Sequence, residues 1–576
     1  MNIRIDLDKR DLLTIVVLSI VFFSLAVSNL GLTQAPVTTW QTNENKTFYI
    51  DLGEPANVGT VYFLVKNGSA TVQVYTGSPG SWSSNGSSLS ISNSYYSWSE
   101  VTVDSGTQYV QFDFEQAAVE VAEIAVLNQD NQRIAITAIN SENDSDPNLS
   151  KLIDEQSLVQ CPPTYLSETF FDEIYFVRTA EQYLNLQVPY EWTHPPLGKL
   201  IIASGIAVFG FNPFGWRIMG VIAATLMIPL IYLLGKKLFG TWIGGFASAF
   251  LLTFDFMHFT MARMATADTY VVLFSLASQL FFLIYLKDVL KNGWKAPVLP
   301  LFLAFLFFAL GFSTKWLVLY GFAGQLAILG VLRLKEVSKL KKGLSDKIYA
   351  FTDHPFSVLV GFLLVAVLVY FLTYIPDMLA GRTLIEVMSL QGGMYNYHAT
   401  LTATHSFSSP WWSWPFLVRP DGPVPLWLYV SYLPNSVKST IVLLGNPAVW
   451  WVGFACTIIL TAKVVKIGIA AAKRVSPKID FAAMFIAVFF FFQWVPYMLI
   501  SRVTFIYHFY VNVPFLCLAA AYFISKHWSS KWVKVAAIAY FAGTVALFGL
   551  FYPVISGMPA PASSIDSLKW LNGWSF

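Results

Sequence analysis

Asp172 and Glu173 stand side by side in FFDEIYFVRTAEQYLNLQVPYEWTHPPLGK, a stretch that runs from Phe170 to Lys199 and ends in a His-Pro-Pro-Leu-Gly-Lys turn. Beyond it the chain enters long apolar segments and mostly stays in them. A carboxylate placed beside a substrate takes a proton from it or orients it. An acidic pair also opens helices without doing chemistry, because negative charge suits the positive end of the helix dipole. Which role applies depends on what other charged groups the apolar segments bring to the same side.

Hydrophobic residues make up 55% of the 576, and charged residues only 12%, against about 25% charge in an average soluble protein. This composition excludes a soluble globular chain and predicts a polytopic membrane protein. No nucleic-acid partner is expected. The three cysteines, Cys161, Cys456 and Cys517, form neither a disulfide framework nor a CxxC pair.

Lys9 and Arg10 precede an apolar run from Leu12 to Leu30. It is long enough to cross a bilayer, longer than a signal-peptide core, and ends without a small-x-small cleavage site. We read it as an uncleaved anchor with a cytoplasmic N-terminus. Ten further apolar runs follow, near 216–235, 241–257, 268–286, 297–312, 316–332, 357–375, 446–462, 481–501, 505–525 and 533–552. Eleven crossings place the C-terminus outside. The positive-inside rule agrees, because 22 of the 36 Lys and Arg residues fall on the cytoplasmic side: Arg4, Lys9 and Arg10, Lys236 and Lys237, Lys287 to Lys295, Arg333 to Lys347, Lys463 to Lys478, and Lys526 to Lys534. The runs at 241–257 and 297–312 are the shortest, and 200–209 reads as a helix along the outer surface. The expected organisation is a tail and first crossing (1–32), an external insert (33–150), a first external loop (151–215), a membrane core (216–552) with its own external loop (376–445), and an external tail (553–576).

The insert differs completely in composition. Gly, Ser, Asn and Thr dominate, and alternating runs such as TFYIDL, TVYFLV, TVQVYT and YVQFDF predict an antiparallel β-sandwich. SPGSWSSNGSSLSISNS reads as a mobile loop, and Asn143 to Pro147 as a linker. FYIDLGEPANVGTVYFLV, YYSWSEVTV and AVEVAEIAVLNQ resemble the discoidin, or factor V/VIII type C, family of jelly-roll domains. That resemblance implies a glycan ligand, for which Trp82, Tyr95, Tyr96 and Trp98 offer stacking rings; the alternative is that these rings are sandwich core.

With this topology Asp172, Glu173, Arg178, His194, Lys199, Arg217, Asp255, Arg263, Asp268, Lys315 and Arg502 converge on the external ends of the crossings. Charges beside a bilayer cost about 2.5–3.5 kcal/mol each on insertion scales, so they mark function unless they pair. Asp255 and Asp268 are expected to pair with Arg263 across a turn. Carboxylates close to several fixed cations suit an enzyme acting on a lipid phosphate, where cations hold the phosphate and a carboxylate takes a proton.

FDE at 171–173, HPPLGK at 194–199, WRIMGVIAATLMIPLIYLLGKKLFG from Trp216 and FDFMHFTMARMATADTYVVLF from Phe254 resemble the first half of the protein O-mannosyltransferase family. STKW at 313–316, HSFSSPWWSWPFLVRP from His405, LLGNPAVWW from Leu443 and SRVTFIYHFYVNVPF from Ser501 are similar to its second half. The resemblance implies a GT-C fold and transfer of mannose, with inversion, from polyprenyl- or dolichyl-phosphate-mannose to Ser or Thr of exported proteins. It implies Asp172 as general base with Glu173 orienting acceptor or sugar, and Arg217 at the donor phosphate with Arg263, Lys199 and Arg502 beside it. His194, Asp255, Asp268, His405, Trp411 and His508 are supporting residues. No metal or other cofactor is expected: the loop lacks a DxD, and His194, His405 and His508 are dispersed along the chain. Loop 376–445 is too short for the MIR repeats of eukaryotic members, which points to a prokaryotic type in the cell membrane.

Two other readings remain. A related GT-C enzyme would move the sugar to a lipid or cell-wall glycan. A sugar-capturing transporter would need mid-bilayer charges or an internal repeat, and the sequence shows neither.

Overall fold

The computed structural model describes residues 5–142, 146–340, 343–420, 428–473, 479–571 and 574–576. Arg4, Lys341, Lys342, Arg474 and Lys478, counted above as cytoplasmic charges, and Asn143 of the linker lie outside the described residues.

All eleven apolar runs fall on helical segments. Among the described residues nine helices are long and apolar enough to cross a membrane, and a pair, Trp242–Thr253 and Phe256–Ala262, bent by 60°, reaches that length only if its two pieces count as one span. The bend has a local cause. Asp255 caps the second piece, accepting from the His258 amide at 3.0 Å, so the chain leaves one helix and restarts another in mid-span. The run near 297–312 forms Leu299–Phe312, 14 residues, or roughly 21 Å of helix against about 30 Å of hydrocarbon. The expected surface helix is Leu197–Phe209, also too short to cross. Its Ile202 and Ile206 are buried, while Val208 and Phe209 are exposed.

The helices Lys9–Val27 and Pro213–Phe239 are joined by Asp11. Its buried carboxylate pairs with Lys236 and accepts from the Tyr232 hydroxyl at 2.6 Å. Pro213–Phe239 starts on an Asn212 cap with Pro213 in the first turn and stops at Gly240 in the left-handed region (φ 73°).

The insert is antiparallel throughout. The continuous strands Lys46–Ser78 and Ser81–Asn128 fold back on each other, with Trp40–Thr42, Arg133–Ile134 and Ala138–Asn140 at the margins. Residues 71–77 pair with both 82–91 and 109–115, and residues 58–65 pair with both 97–105 and 121–128. Phe63 of the second group meets Phe112 and Phe114 of the first at 5.0 and 5.7 Å, closing a core that also holds Trp40, Phe48 and Val126. The Ser-rich stretch expected to be a mobile loop is instead the outgoing arm of a hairpin, turned at Pro79-Gly80 with Gly80 at φ 78°. Serine there alternates with residues such as Ile91, which is buried, and a composition rule misses that alternation.

Tyr95 and Tyr96 are neither sugar platforms nor sandwich core. They are buried in a second cluster with Phe176, Val177, Ile202 and Trp216, where the insert sits on the helices of the first external loop. Tyr96 meets Phe211 and Trp216 edge-on at 5.2 and 5.6 Å. Further along the chain, Ala560–Pro561 pairs with Val437–Val442, and Lys438 bonds Asp566 and the backbone oxygen of Phe576, so residues 560–576 close onto that strand.

Gly220 lets the helix carrying Arg217 pack against the bent span: a Cβ there would lie 2.6 Å from the Ala262 carbonyl oxygen. Gly220→Val is expected to destabilise the protein by about 1–3 kcal/mol through overpacking, read as a lower thermal midpoint in detergent.

Candidate active site

Arg217 is fully buried and every one of its donors is occupied. Nε and Nη2 grip the two oxygens of Glu173 at 2.8 and 2.7 Å. Nη1 donates to the carbonyls of Leu30 and Tyr165 at 3.1 and 2.7 Å, and Nη2 also to that of Glu168 at 2.7 Å. Glu173 is equally committed, because it accepts in addition from the amides of Ala265 at 2.8 Å and Phe170 at 3.2 Å. Neither has capacity left for substrate. This corrects two expectations: Arg217 does not face a donor phosphate, and Glu173 does not orient acceptor or sugar. Their pairing instead clamps the loop before Asp172 to three helices.

Asp172 is the acid left free. It is the last residue before helix Glu173–Leu184, yet its side chain makes no capping bond, which removes the helix-opening explanation. Among the described residues no group donates to its half-buried carboxylate. The preceding residue, Phe171, is held at φ 58°, a conformation that is costly for a bulky side chain and that the Glu173 clamp sustains. Burial pushes the Asp172 carboxyl up to about 7, against the pull of Lys315 and with added push from Asp268 and Glu191.

The other expected cations divide. Lys199 is buried and spends its three donors on the Glu191 carboxylate at 2.6 Å and the carbonyls of Glu191 and His194, each at 2.7 Å. Arg263 holds the carbonyls of Ala26, Ser28, Asn29 and Ser556, stitching the end of the first crossing to the bent span and the last helix. It pairs with neither aspartate. Asp255 accepts from His258, Asn446 and Trp450, and Asp268 pairs with Lys315 at 2.9 Å. Of the four cations expected at the phosphate, Arg502 is the one whose guanidinium is half-buried with no hydrogen bond or ion pair among the described residues.

Arg502 and Lys315 line one pocket of about 400 Å³, together with His194, Trp316, His398 and His508. His194 and His508, far apart in sequence, therefore share a wall, joined by His398, which lies edge-on to His194 at 5.1 Å. His405 is exposed and stands elsewhere against Phe505, and Trp411 packs on Trp494. Asp172 is not part of the pocket lining, but the charge of Lys315, which is, acts on its carboxyl.

Sequence reasoning missed Glu191 and His398. Glu191 is the anchor of the His-Pro-Pro turn: it bonds Lys199, the His194 ring at 3.1 Å and the Thr193 amide at 2.8 Å. Burial would raise its carboxyl, but Lys199 and His194 hold it well below the usual range. Its place eight residues before a lysine in a turn was the available signal. His398 sits on helix Leu384–Thr400, seven residues before the motif that opens at His405 and outside every stretch that carried a resemblance.

Residues 193–344 match the family model described as dolichyl-phosphate-mannose-protein mannosyltransferase, and residues 383–574 match the C-terminal four TMM region of protein-O-mannosyltransferase. The chain belongs to the protein O-mannosyltransferase family. A polyprenol-phosphate-mannose–protein mannosyltransferase of Mycolicibacterium smegmatis is 22% identical over 484 residues, covering 72% of this chain and 89% of its own. That of Mycobacterium tuberculosis is 23% identical over 480 residues, covering 70% and 86%. The Saccharomyces cerevisiae Pmt1-Pmt2 complex bound to the sugar donor shares the fold at a TM-score of 0.56 and 15% identity, over 70% of this chain and 89% of that one. This is the GT-C architecture expected of the family. The matched models begin after the Asp172-Glu173 pair and do not extend into the β-sheet insert.

Arg217→Ala leaves Glu173 buried and unpaired and should cost about 3–5 kcal/mol of stability. Arg217→Lys should recover little of it, since an ammonium cannot grip both oxygens; thermal unfolding of the purified protein checks both.

Proposed function

We propose that this family member transfers mannose from a polyprenyl-phosphate-mannose donor to Ser or Thr hydroxyls of exported polypeptides, with Asp172 as general base. The supporting observation is the division of labour within one acidic pair: Glu173 is neutralised by Arg217, and Asp172 stands unpaired with its carboxyl near neutrality. A serine hydroxyl is too weak an acid to attack unaided. A carboxylate titrating near working pH takes its proton as the new bond forms. The bond from the anomeric carbon to the phosphate oxygen breaks, and the leaving phosphate needs positive charge rather than a proton. Arg502 and Lys315 supply that charge, and a direct displacement inverts the anomeric centre. One carboxylate then suffices, where glycosidases use two.

The same reading gives the orientation. The clustered basic ends of the helices face the cytoplasm, and Asp172, Arg502 and the β-sheet insert face outward at the cell membrane. The apolar part of the pocket, with Trp316, Leu317 and Ile500, receives the start of the polyprenyl chain.

The test is transfer in vitro from radiolabelled polyprenyl-phosphate-mannose to a Ser/Thr-rich peptide, with and without EDTA. Asp172→Asn should bind donor and transfer nothing. A mutant that still transfers removes Asp172 as the base; donor bound without peptide labelling redirects the search to lipid or glycan acceptors. Because a general base works only when deprotonated, the wild-type rate should fall as pH drops through about 7 and level off above it.

Arg502→Ala should raise the donor KM by roughly ten- to a hundredfold, the loss of a charge-assisted hydrogen bond of about 1.5–3 kcal/mol. Steady-state kinetics at saturating peptide measures this.

A further inference from the structure

The insert touches the catalytic loop at the residues that lead into Asp172. Thr169 donates from its amide to the Tyr96 carbonyl at 2.9 Å and from its hydroxyl to the Tyr95 carbonyl at 2.6 Å. In the opposite direction the Trp98 amide donates to Glu168 Oε2 at 2.9 Å, and the Trp98 indole to the Ser167 hydroxyl at 3.2 Å. A short strand of the insert and residues 167–169 are thus laced together much as two strands of a sheet are.

Glu168 is the crossing point of this lacing. Its second carboxylate oxygen accepts from the Tyr429 hydroxyl at 2.9 Å, and its carbonyl accepts from Arg217. Three parts of the protein distant in sequence therefore meet at one residue: the insert, the late external loop and the buried clamp. A further contact grips the far end of the same helix. Glu181, eight residues into Glu173–Leu184, receives Lys66 at 2.8 Å and the Tyr95 hydroxyl. Helix Glu173–Leu184 is accordingly held by the insert at both ends, with Asp172 at its start.

The backbone at this junction is also strained on both sides. Tyr96 at φ 50° and Phe171 at φ 58° both occupy the left-handed region. A bulky residue stays there only when its surroundings hold it. The bonds to Thr169 do this for Tyr96, and the Glu173 clamp does it for Phe171.

We propose that the β-sheet insert is a positioning element for transfer: its residues 95–98 fix residues 168–169 and through them the location of the Asp172 carboxylate. The inference rests on the reading of Asp172 as the base. It gives the insert a role in the reaction without a ligand of its own.

The experiment uses the full chain in detergent or nanodiscs. Thr169→Val removes the hydroxyl bond to Tyr95, and Thr169→Ser restores it. Glu168→Ala removes the acceptor for Trp98 and Tyr429, and Glu168→Gln keeps part of it. Thr47→Val is the control, because it deletes a side-chain bond of the same kind, to Asp113 at 2.7 Å, inside the insert but away from the loop. Thr169→Val and Glu168→Ala should lower kcat by roughly ten- to a hundredfold, the expected effect of displacing a catalytic group by about 1 Å. The donor KM should stay within about twofold of wild type, since neither residue touches the pocket that holds the phosphate. The acid limb of the pH profile should move to lower pH as Asp172 becomes better hydrated, and Thr169→Ser and Glu168→Gln should recover much of the rate.

A lower thermal midpoint with kcat and acid limb unchanged would overturn the proposal and leave the lacing a matter of stability alone. So would equal losses in the Thr47→Val control, or a loss confined to donor binding. Asp172→Asn, assayed in parallel, separates the two readings. If that mutant is active, the base assignment fails. If it is inactive while Thr169→Val and Glu168→Ala behave as wild type, only the role of the insert fails.

Discussion

The arrangement of the loop that carries Asp172 depends on one buried ion pair. Arg217 and Glu173 lie where water cannot screen or solvate them, so each is tolerable only because the other, and five backbone groups around them, satisfy every remaining donor and acceptor. The attraction is directional as well as strong, since a guanidinium fork meets a carboxylate in one plane. The carbonyls it collects belong to the end of the first crossing and to the loop before the acidic pair, and the amide on Glu173 belongs to the stretch after the bent span. The pair therefore sets the relative positions of segments that the bilayer alone would leave free to slide.

The same pair explains why two neighbouring acids behave differently. Adjacent side chains at a helix start point in different directions, so Glu173 turns inward to the arginine while the Asp172 side chain makes no capping bond. A second carboxylate facing the pocket would repel the first and compete for the same cations. Neutralising one acid completely leaves a single carboxylate, Asp172, under the charge of Lys315, with Asp268 tempering the lysine. The His-Pro-Pro turn repeats the pattern on a smaller scale, where Lys199 is consumed by Glu191 and by carbonyls, and the turn it stiffens carries His194 to the pocket wall.

Much of the fold was legible in the sequence because the bilayer reduces folding to apolar length and end charge. Every apolar run became a helix, and the alternating runs between 33 and 150 became antiparallel strands. Asp172 was legible as well, by type and position. The fate of the cations was not. Arg217, Arg263, Lys199 and Arg502 look alike in sequence, and what separates them is whether carbonyl oxygens from distant segments reach their donors. Arg263 is occupied by residues up to 293 positions away, which no local pattern records. Tyr95 and Tyr96 misled for a related reason: an aromatic pair on an insert suggests a ligand platform, and only the packed structure shows that a helix covers it. The break at Asp255 was hidden because a capping aspartate within an apolar run also reads as a functional charge.

The clamp has a consequence for how the chain is made. Glu173 emerges 44 residues before Arg217 and 92 before Ala265, its other inward donor. At about 5–20 residues per second of synthesis, that carboxylate stays outside in water for roughly 5–20 s before its last partner exists. Throughout that interval the insert is already complete, with its own core, yet the loop it will grip has nothing beneath it. The loop before Asp172 is thus completed late, after helix Pro213–Phe239 has delivered its arginine and the chain has passed the bent helix pair to reach Ala265. A ribosome halted between the two would release a chain with a folded outer module and an ordinary, solvated acidic pair.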